Sequence, residues 1–187
     1  MERMGQDETR ISMRRLWEGA QQEILKIGVL QDYSEGRDGE TASLQAWMAG
    51  DKTASRACMQ IEAEEPNYYT AMLLRKRDEG VSWCRVDYVE EPLTPYMKWS
   101  YEYLARVCVP AGEKLLQIGQ SDVSDLELPA GDVVIVDNQN VVAYRYEGLG
   151  RLVGAEVYTS PPDDIDSFLG LKATLLQRAT PVPPPES

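Results

Sequence analysis

The pattern of apolar and polar positions changes period at Gly80. Before it, apolar residues recur at helical spacing. From Ser12 to Ile27 the set Met13, Leu16, Trp17, Ala20, Ile24 and Ile27 predicts one helix, with Ser12 suited to its N-cap. YSEGRDGE (33–40) collects turn residues and charge and reads as a loop. TASLQAWMAG reads as a short helix capped by Thr41 and closed by Gly50, with Leu44, Trp47 and Met48 on one face. A polar connection through Cys58 leads to Pro66. That proline suits the first turn of a helix running to Gly80, with Tyr69, Met72 and Leu73 inward.

Beyond Gly80 the period becomes two. VSWCRVDYV sets Cys84, Val86 and Tyr88 on one face of a strand, opposite Arg85 and Asp87. Thr94 at the N-cap and Pro95 at the first position then start a helix. Its stripe is Met97, Tyr101, Leu104 and Cys108, and Pro110 ends it. EKLLQIG, DVVIVDN, NVVAYRY and RLVGAEVYT are four further strands, the last three close enough for an antiparallel meander. Asp166 to Arg178, with Phe168, Leu169, Leu171, Leu175 and Leu176, predicts a closing helix, and TPVPPPES a Pro-rich tail. The expected class is α/β, with α+β as the alternative: one mixed sheet with a meander and helices packed on it. Residues 1–80 are expected to form a helical N-terminal segment, 81–180 the core, and 181–187 the tail.

Composition narrows the chemistry. The chain has no histidine, which removes imidazole-based nucleophilic catalysis and histidine metal sites. Three scattered cysteines (Cys58, Cys84, Cys108) make no thiolate site, and no D-x-D-x-D-G loop organises a cation. No metal, cofactor or catalytic residue is therefore expected. With 19 basic and 31 acidic residues the formal charge is −12, a field that repels nucleic acid and anionic membrane alike. The charged N-terminus is no secretory signal, no apolar run approaches membrane-spanning length, and unpaired thiols suit the cytoplasm.

Three features are candidate sites. Gly148, Gly150 and Gly154 have G-x-G-x-x-x-G spacing, but a dinucleotide cradle needs a helix next and RLVGAEVYT reads as a strand. They are expected to serve as hairpin-turn residues and a bulge or packing point. Tyr96, Trp99 and Tyr103 form an aromatic stripe, either a partner or ligand surface or a second buried helix face. Asp87 and Glu91 end the first strand, and Asp137 and Arg145 lie in the meander. These could form a polar pocket. The default expectation for Arg85 and Asp87 is the solvated face of the sheet, because alternating strands turn polar residues outward. The candidate ligand- or partner-binding residues are thus Asp87, Glu91, Tyr96, Trp99, Asp137 and Arg145.

The blocks EEPLTPYMKWSYEYLARVCVPAGEKL and LPAGDVVIVDNQNVVAYRYEGLGRLVGAEVY, with SLQAWMAG, resemble a family of small actinobacterial proteins of unknown function. Such proteins are often encoded beside helix-turn-helix regulators, so the resemblance implies a regulatory or accessory role. Residues 80–178, around VIVDNQNVV, also resemble one half of the phospholipase D-like fold. Set on its H-x-K-x-x-x-x-D motif, this chain has Asp137 for the aspartate but Ala130 for the histidine and Asp132 for the lysine. That resemblance implies a non-catalytic version of the fold, of a kind that senses ligands in transcription regulators. The expectation is a non-enzymatic accessory protein acting through a protein partner such as a DNA-binding regulator. A small-ligand sensor is the alternative, and a carboxylate- or tyrosine-based biosynthetic enzyme ranks last.

Overall fold

The chain opens with a short strand, β1 (Glu2–Gly5), and a helix, α1 (Gln6–Gly19), and then enters strand β2 (Glu23–Gly28). The computed structural model describes residues 1–33, 41–148 and 150–183. Three helices follow β2: α2 (Ala42–Met48), α3 (Lys52–Glu64) and α4 (Tyr68–Asp78). After β3 (Ser82–Val89), α5 (Pro95–Tyr103) runs through a π-helical turn (Leu104–Cys108) into a last turn, α6 (Val109–Ala111). Next come β4 (Glu113–Gly119), a 3-10 turn (Gln120–Val123), and the meander β5 (Val133–Val136), β6 (Asn140–Glu147) and β7 (Arg151–Thr159). Helix α7 (Asp166–Arg178) and a two-residue strand, β8 (Thr180–Pro181), close the chain.

All eight strands form one mixed sheet in the order β1-β7-β6-β5-β2-β3-β4-β8. β2, β3 and β4 are parallel neighbours, and the antiparallel meander joins them along the other side of β2. β2 is therefore the seam of the fold. Helices α1 to α6 cover one face, over Ile24, Trp83, Val134 and Val142, while α7 covers the other, over Leu25, Ile27, Val86 and Ile135.

The single helix expected over 12–27 is thus two elements. Ile24 and Ile27 are both buried, but they point to opposite faces of a strand whose backbone is paired on both sides. Their helical spacing with Met13 and Trp17 is a coincidence of a helix followed closely by a strand. Residues 1–80 accordingly supply β1 and the central β2 as well as helices. The polar connection through Cys58 is α3, an outer helix that fully buries only Ser55 and Met59 and so shows no large apolar stripe. Met48 is exposed, and Asn67, not the Pro66 turn, caps α4. Helix α5 starts as expected, with the Thr94 hydroxyl accepting from Met97 N–H, but its path continues past Pro110 to Gly112. The meander and α7 form at the expected residues. The loop expected at 33–40 lies outside the described residues from Ser34 on, as does the tail from Pro184.

Two pins hold α1 over the sheet. At its C-terminal end the buried Lys76 ammonium donates to the carbonyls of Glu18 and Ala20, 2.8 and 2.9 Å away, satisfying orphan acceptors at the negative end of the helix. At its N-terminal end β1 pairs with β7, where Gly154 is needed. A Cβ there would lie 2.2 Å from the Met4 carbonyl oxygen.

Candidate functional site: an aromatic pocket on an ionic floor

The face beneath α1 carries charge inside the fold. Period two places Lys26 and Gly28 of β2, and Arg85 and Asp87 of β3, on this face, with Lys26 level with Arg85 and Gly28 level with Asp87. Glu113 at the start of β4 and Asp132 just before β5 complete the group. The Asp132 side chain is 0% exposed and takes four donors. One oxygen accepts from Val29 N–H (3.0 Å) and the Tyr33 hydroxyl (2.7 Å). The other accepts from the Tyr146 hydroxyl (3.2 Å) and pairs with the Lys26 ammonium (2.9 Å). Arg85 sits between two further carboxylates, with Nε 3.6 Å from Asp87 and 3.9 Å from Glu113. Tyr69 donates to Glu113 at 3.1 Å. Gly28 makes room for this arrangement: a Cβ there would lie 2.2 Å from an Asp87 carboxylate oxygen.

The three carboxylates differ in character. Burial raises the pKa of Asp87 and of Glu113, and the nearby Arg85 charge offsets only part of it. Burial acts on Asp132 too, but Lys26 and the hydrogen bonds from Tyr33 and Val29 outweigh it and hold this carboxyl below the ordinary range. Tyr33 and Tyr146 are pushed far up by burial and by Asp132, so both remain hydroxyl donors. Cys84, on the opposite face, is pushed up to about 11 by burial and stays a thiol. Among the described residues no cluster of His, Cys, Asp and Glu could hold a metal ion.

Above this floor lies a cavity of about 460 Å³, within the usual size of small-molecule sites. Thr9, Met13 and Trp17 of α1 roof it, Tyr68 and Tyr69 of α4 form one side, and Gly150 and Leu152 form the other. Its floor is Ile24, Lys26, Trp83, Arg85, Val134, Tyr144 and Tyr146, with Tyr33 at one end. Two aromatic groups bound it. Trp17, Tyr69 and Trp83 meet with ring centroids 5.5–5.7 Å apart, and Tyr33 stacks edge-on against Tyr146 at 5.8 Å. Among the described residues the buried indole N–H groups of Trp17 and Trp83 find no hydrogen-bond acceptor, and ring contacts position them. Arg10, Arg14 and Arg151 stand exposed at the mouth. Among the described residues, seven aromatic side chains and five cations line the cavity, and no carboxylate does. A smaller cavity of about 80 Å³, lined by Asp87 and Tyr96 among others, lies beyond Lys26, Tyr33 and Arg85.

The expected site residues are scattered. Asp87 belongs to the ionic floor, buried at 6% exposure, so the solvated-face expectation for Arg85 and Asp87 fails: six helices cover that face. Glu91 is exposed in the loop after β3, accepting from Leu93 N–H. Tyr96 and Trp99 are buried at 8% and 6%, so neither offers a surface, although Tyr96 reaches the small cavity. Asp137 takes the backbone N–H groups of Gln21, Gln22 and Glu23, tying the β5–β6 turn to the start of β2. Arg145 is exposed beside the bulge in β6. Of the glycines, Gly148 and Gly150 have positive φ in the hairpin and a strand follows, which removes the nucleotide cradle. Gly150 has a second role: a Cβ would lie 2.4 Å from the Asp32 carbonyl oxygen, so its absence lets the Tyr33 segment pack against the hairpin. The sequence pattern does not single out Lys26, Tyr33, Asp132 and Tyr146 as a group. A signal for them exists in the ten tyrosines against one phenylalanine, since tyrosine is the aromatic residue that can donate to a buried carboxylate.

Residues 12–184 match the family described as Domain of unknown function (DUF6879). The chain belongs to the DUF6879 family. No curated protein matches it. Among solved structures, the DUF6879 chain is similar to Nuc, a phospholipase D family member from Salmonella typhimurium. The TM-score is 0.56 and the identity 13%, over 97% of this chain and 96% of that one. That likeness shows a shared fold. The chain also aligns with TrmBL2, described as an archaeal chromatin protein with a novel mode of DNA binding, at TM-score 0.40 and 15% identity, over 96% of this chain and 53% of that one. Of the three positions set on the H-x-K-x-x-x-x-D motif, Asp132 is neutralised by Lys26 and Asp137 is engaged by backbone N–H groups. No described helix is long and apolar enough to cross a membrane.

Proposed function

We propose that this DUF6879 protein is a non-catalytic small-ligand-binding protein whose pocket takes a flat organic anion. The lining of the cavity carries the reading. In a chain of net charge −12, a space walled by seven aromatic side chains presents five cations and, among the described residues, no carboxylate. Aromatic walls favour a flat body, and the excess of cations selects negative charge. The roof is pinned at both ends, so the pocket needs little rearrangement to bind. Catalysis ranks below binding, because every carboxylate of the floor is occupied by a cation or a tyrosine and there is no histidine to move a proton.

Ligand binding therefore overtakes action through a protein partner as the leading reading, since the aromatic helix that suggested a partner surface is buried. A partner that reads the occupied state remains part of the proposal. The acidic surface suits a basic partner, such as a DNA-binding regulator, better than nucleic acid itself, and three unpaired thiols suit the cytoplasm. Thermal shift against flat anions, flat cations and neutral rings tests the central claim, with native mass spectrometry to read stoichiometry. Stabilisation by anions with one ligand retained per chain is the expected result. Stabilisation by cations, or silence in both assays, overturns it.

A further inference from the structure

The position of free charge in the pocket says which way round a ligand lies. The floor cations are already matched, Lys26 by Asp132 at 2.9 Å and Arg85 by Asp87 and Glu113 at 3.6 and 3.9 Å. A multivalent anion placed there would face three buried carboxylates. The mouth is different. Arg10 and Arg14, at i and i+4 on α1, share one helix face, and neither has a carboxylate partner among the described residues. Arg14 lies over the Tyr68 ring, 4.6 Å from its centroid. Among the described residues Arg151 has only an exposed pair with Glu147, the kind that contributes little. Three guanidinium groups around one opening supply more donors than a carboxylate can use and match the three oxygens of a phosphate. The side chains of Gln6 and Tyr144, which also line the cavity, make no hydrogen bond to another described residue, so ring heteroatoms would find partners there.

Resting on the reading of this cavity as an organic-anion site, we infer that its ligand class is the phosphate monoester of a flat heterocycle, held ring inward with its phosphate on Arg10, Arg14 and Arg151. Isothermal titration of the full chain at low salt tests this with adenosine, guanosine and uridine 5′-monophosphates, the matching nucleosides, and indole-3-carboxylate. At least one monophosphate binds, about tenfold or more tighter than its nucleoside, as expected for charge-assisted bonds, and weakens as salt rises. Arg10→Ala with Arg14→Ala removes most of that advantage, lowering monophosphate affinity far more than nucleoside affinity. Both residues are exposed, so the variant folds, and circular dichroism checks it. Arg151→Ala gives a smaller loss of the same kind. Equal affinity for monophosphate and nucleoside overturns the inference. Binding of indole-3-carboxylate without any monophosphate also overturns it, while leaving the organic-anion reading intact. Binding of no probe removes both.

Discussion

Replacing Asp132 by Asn tests whether the ionic floor holds the fold as well as shaping the pocket. The amide oxygen can keep the donors of one side, Val29 N–H and the Tyr33 hydroxyl. The amide nitrogen then faces the Tyr146 hydroxyl and the Lys26 ammonium, which lose their acceptor. Removing one partner of a buried pair costs about 3–5 kcal/mol, because the other charge is left uncompensated. The Lys26 side chain is 22% exposed, so it can turn partly toward water, and the lower end of that range applies. A loss of about 3 kcal/mol is expected, or roughly 6–12 °C in Tm for a domain of this size. Urea denaturation of the full chain at neutral pH measures it. A double-mutant cycle with Lys26→Met, which removes the charge and keeps the stem, separates the pair from general packing damage. The double variant should be more stable than the sum of the singles by about 1–3 kcal/mol. A loss under about 1 kcal/mol for Asp132→Asn, or strict additivity in the cycle, would refute the assignment of Asp132 as the counter-charge of Lys26.

Gly28→Ala should cost about 1–3 kcal/mol by overpacking, since its Cβ meets the Asp87 carboxylate at 2.2 Å. Urea denaturation in an Asp87→Ala background should show most of that cost gone, and an equal cost in both backgrounds would remove the explanation. Glu113→Gln should flatten the dependence of stability on pH. Burial raises the folded pKa of Glu113 above its ordinary 4.5, so its contribution is full below that value and is lost as pH rises through the raised one. Stability curves that run parallel from about pH 4 to 7 for parent and variant would contradict this. Lys76→Met leaves the carbonyls of Glu18 and Ala20 without their donor, at about 1–3 kcal/mol per buried acceptor. Hydrogen exchange should speed up first in α1, and a uniform change across the sheet would argue against Lys76 as the pin of the roof.

What could be read from the sequence follows from how many neighbours each segment has. β3, β4, β7 and α7 were legible because nearby glycines and the apolar periodicity agree there. β2 was not. EILKIG is short and lacks β-branched alternation, and it follows α1 after three residues, so its isoleucines continue the helical count by chance. Its strand identity comes from β3 and β5 pairing on either side, which no local pattern encodes. The missed α3 is the opposite case. It lies outermost and is anchored by small residues such as Ser55, whose hydroxyl donates to the Ser43 carbonyl, so it shows no large apolar stripe.

The site was missed for a related reason. Period-two alternation was read as one buried and one solvated face, which is correct for a sheet covered on one side only. VSWCRVDYV carries Trp83 and Val89 on the same face as Arg85 and Asp87, and two large apolar residues do not belong on a solvated face. That mixture is the mark of a strand covered on both sides, and it requires the charges between them to find partners inside the fold. The same holds for Lys26 between Ile24 and Gly28, and for Asp132 beside VVIV, a run buried at every position. Buried carboxylates in turn need donors that can live in an aromatic core, which tyrosine supplies and phenylalanine does not. The charges inside apolar strands and the excess of tyrosine are therefore one feature seen twice. Together they locate the floor of the pocket, and Arg10 and Arg14, which have no carboxylate partner among the described residues, mark its mouth on α1.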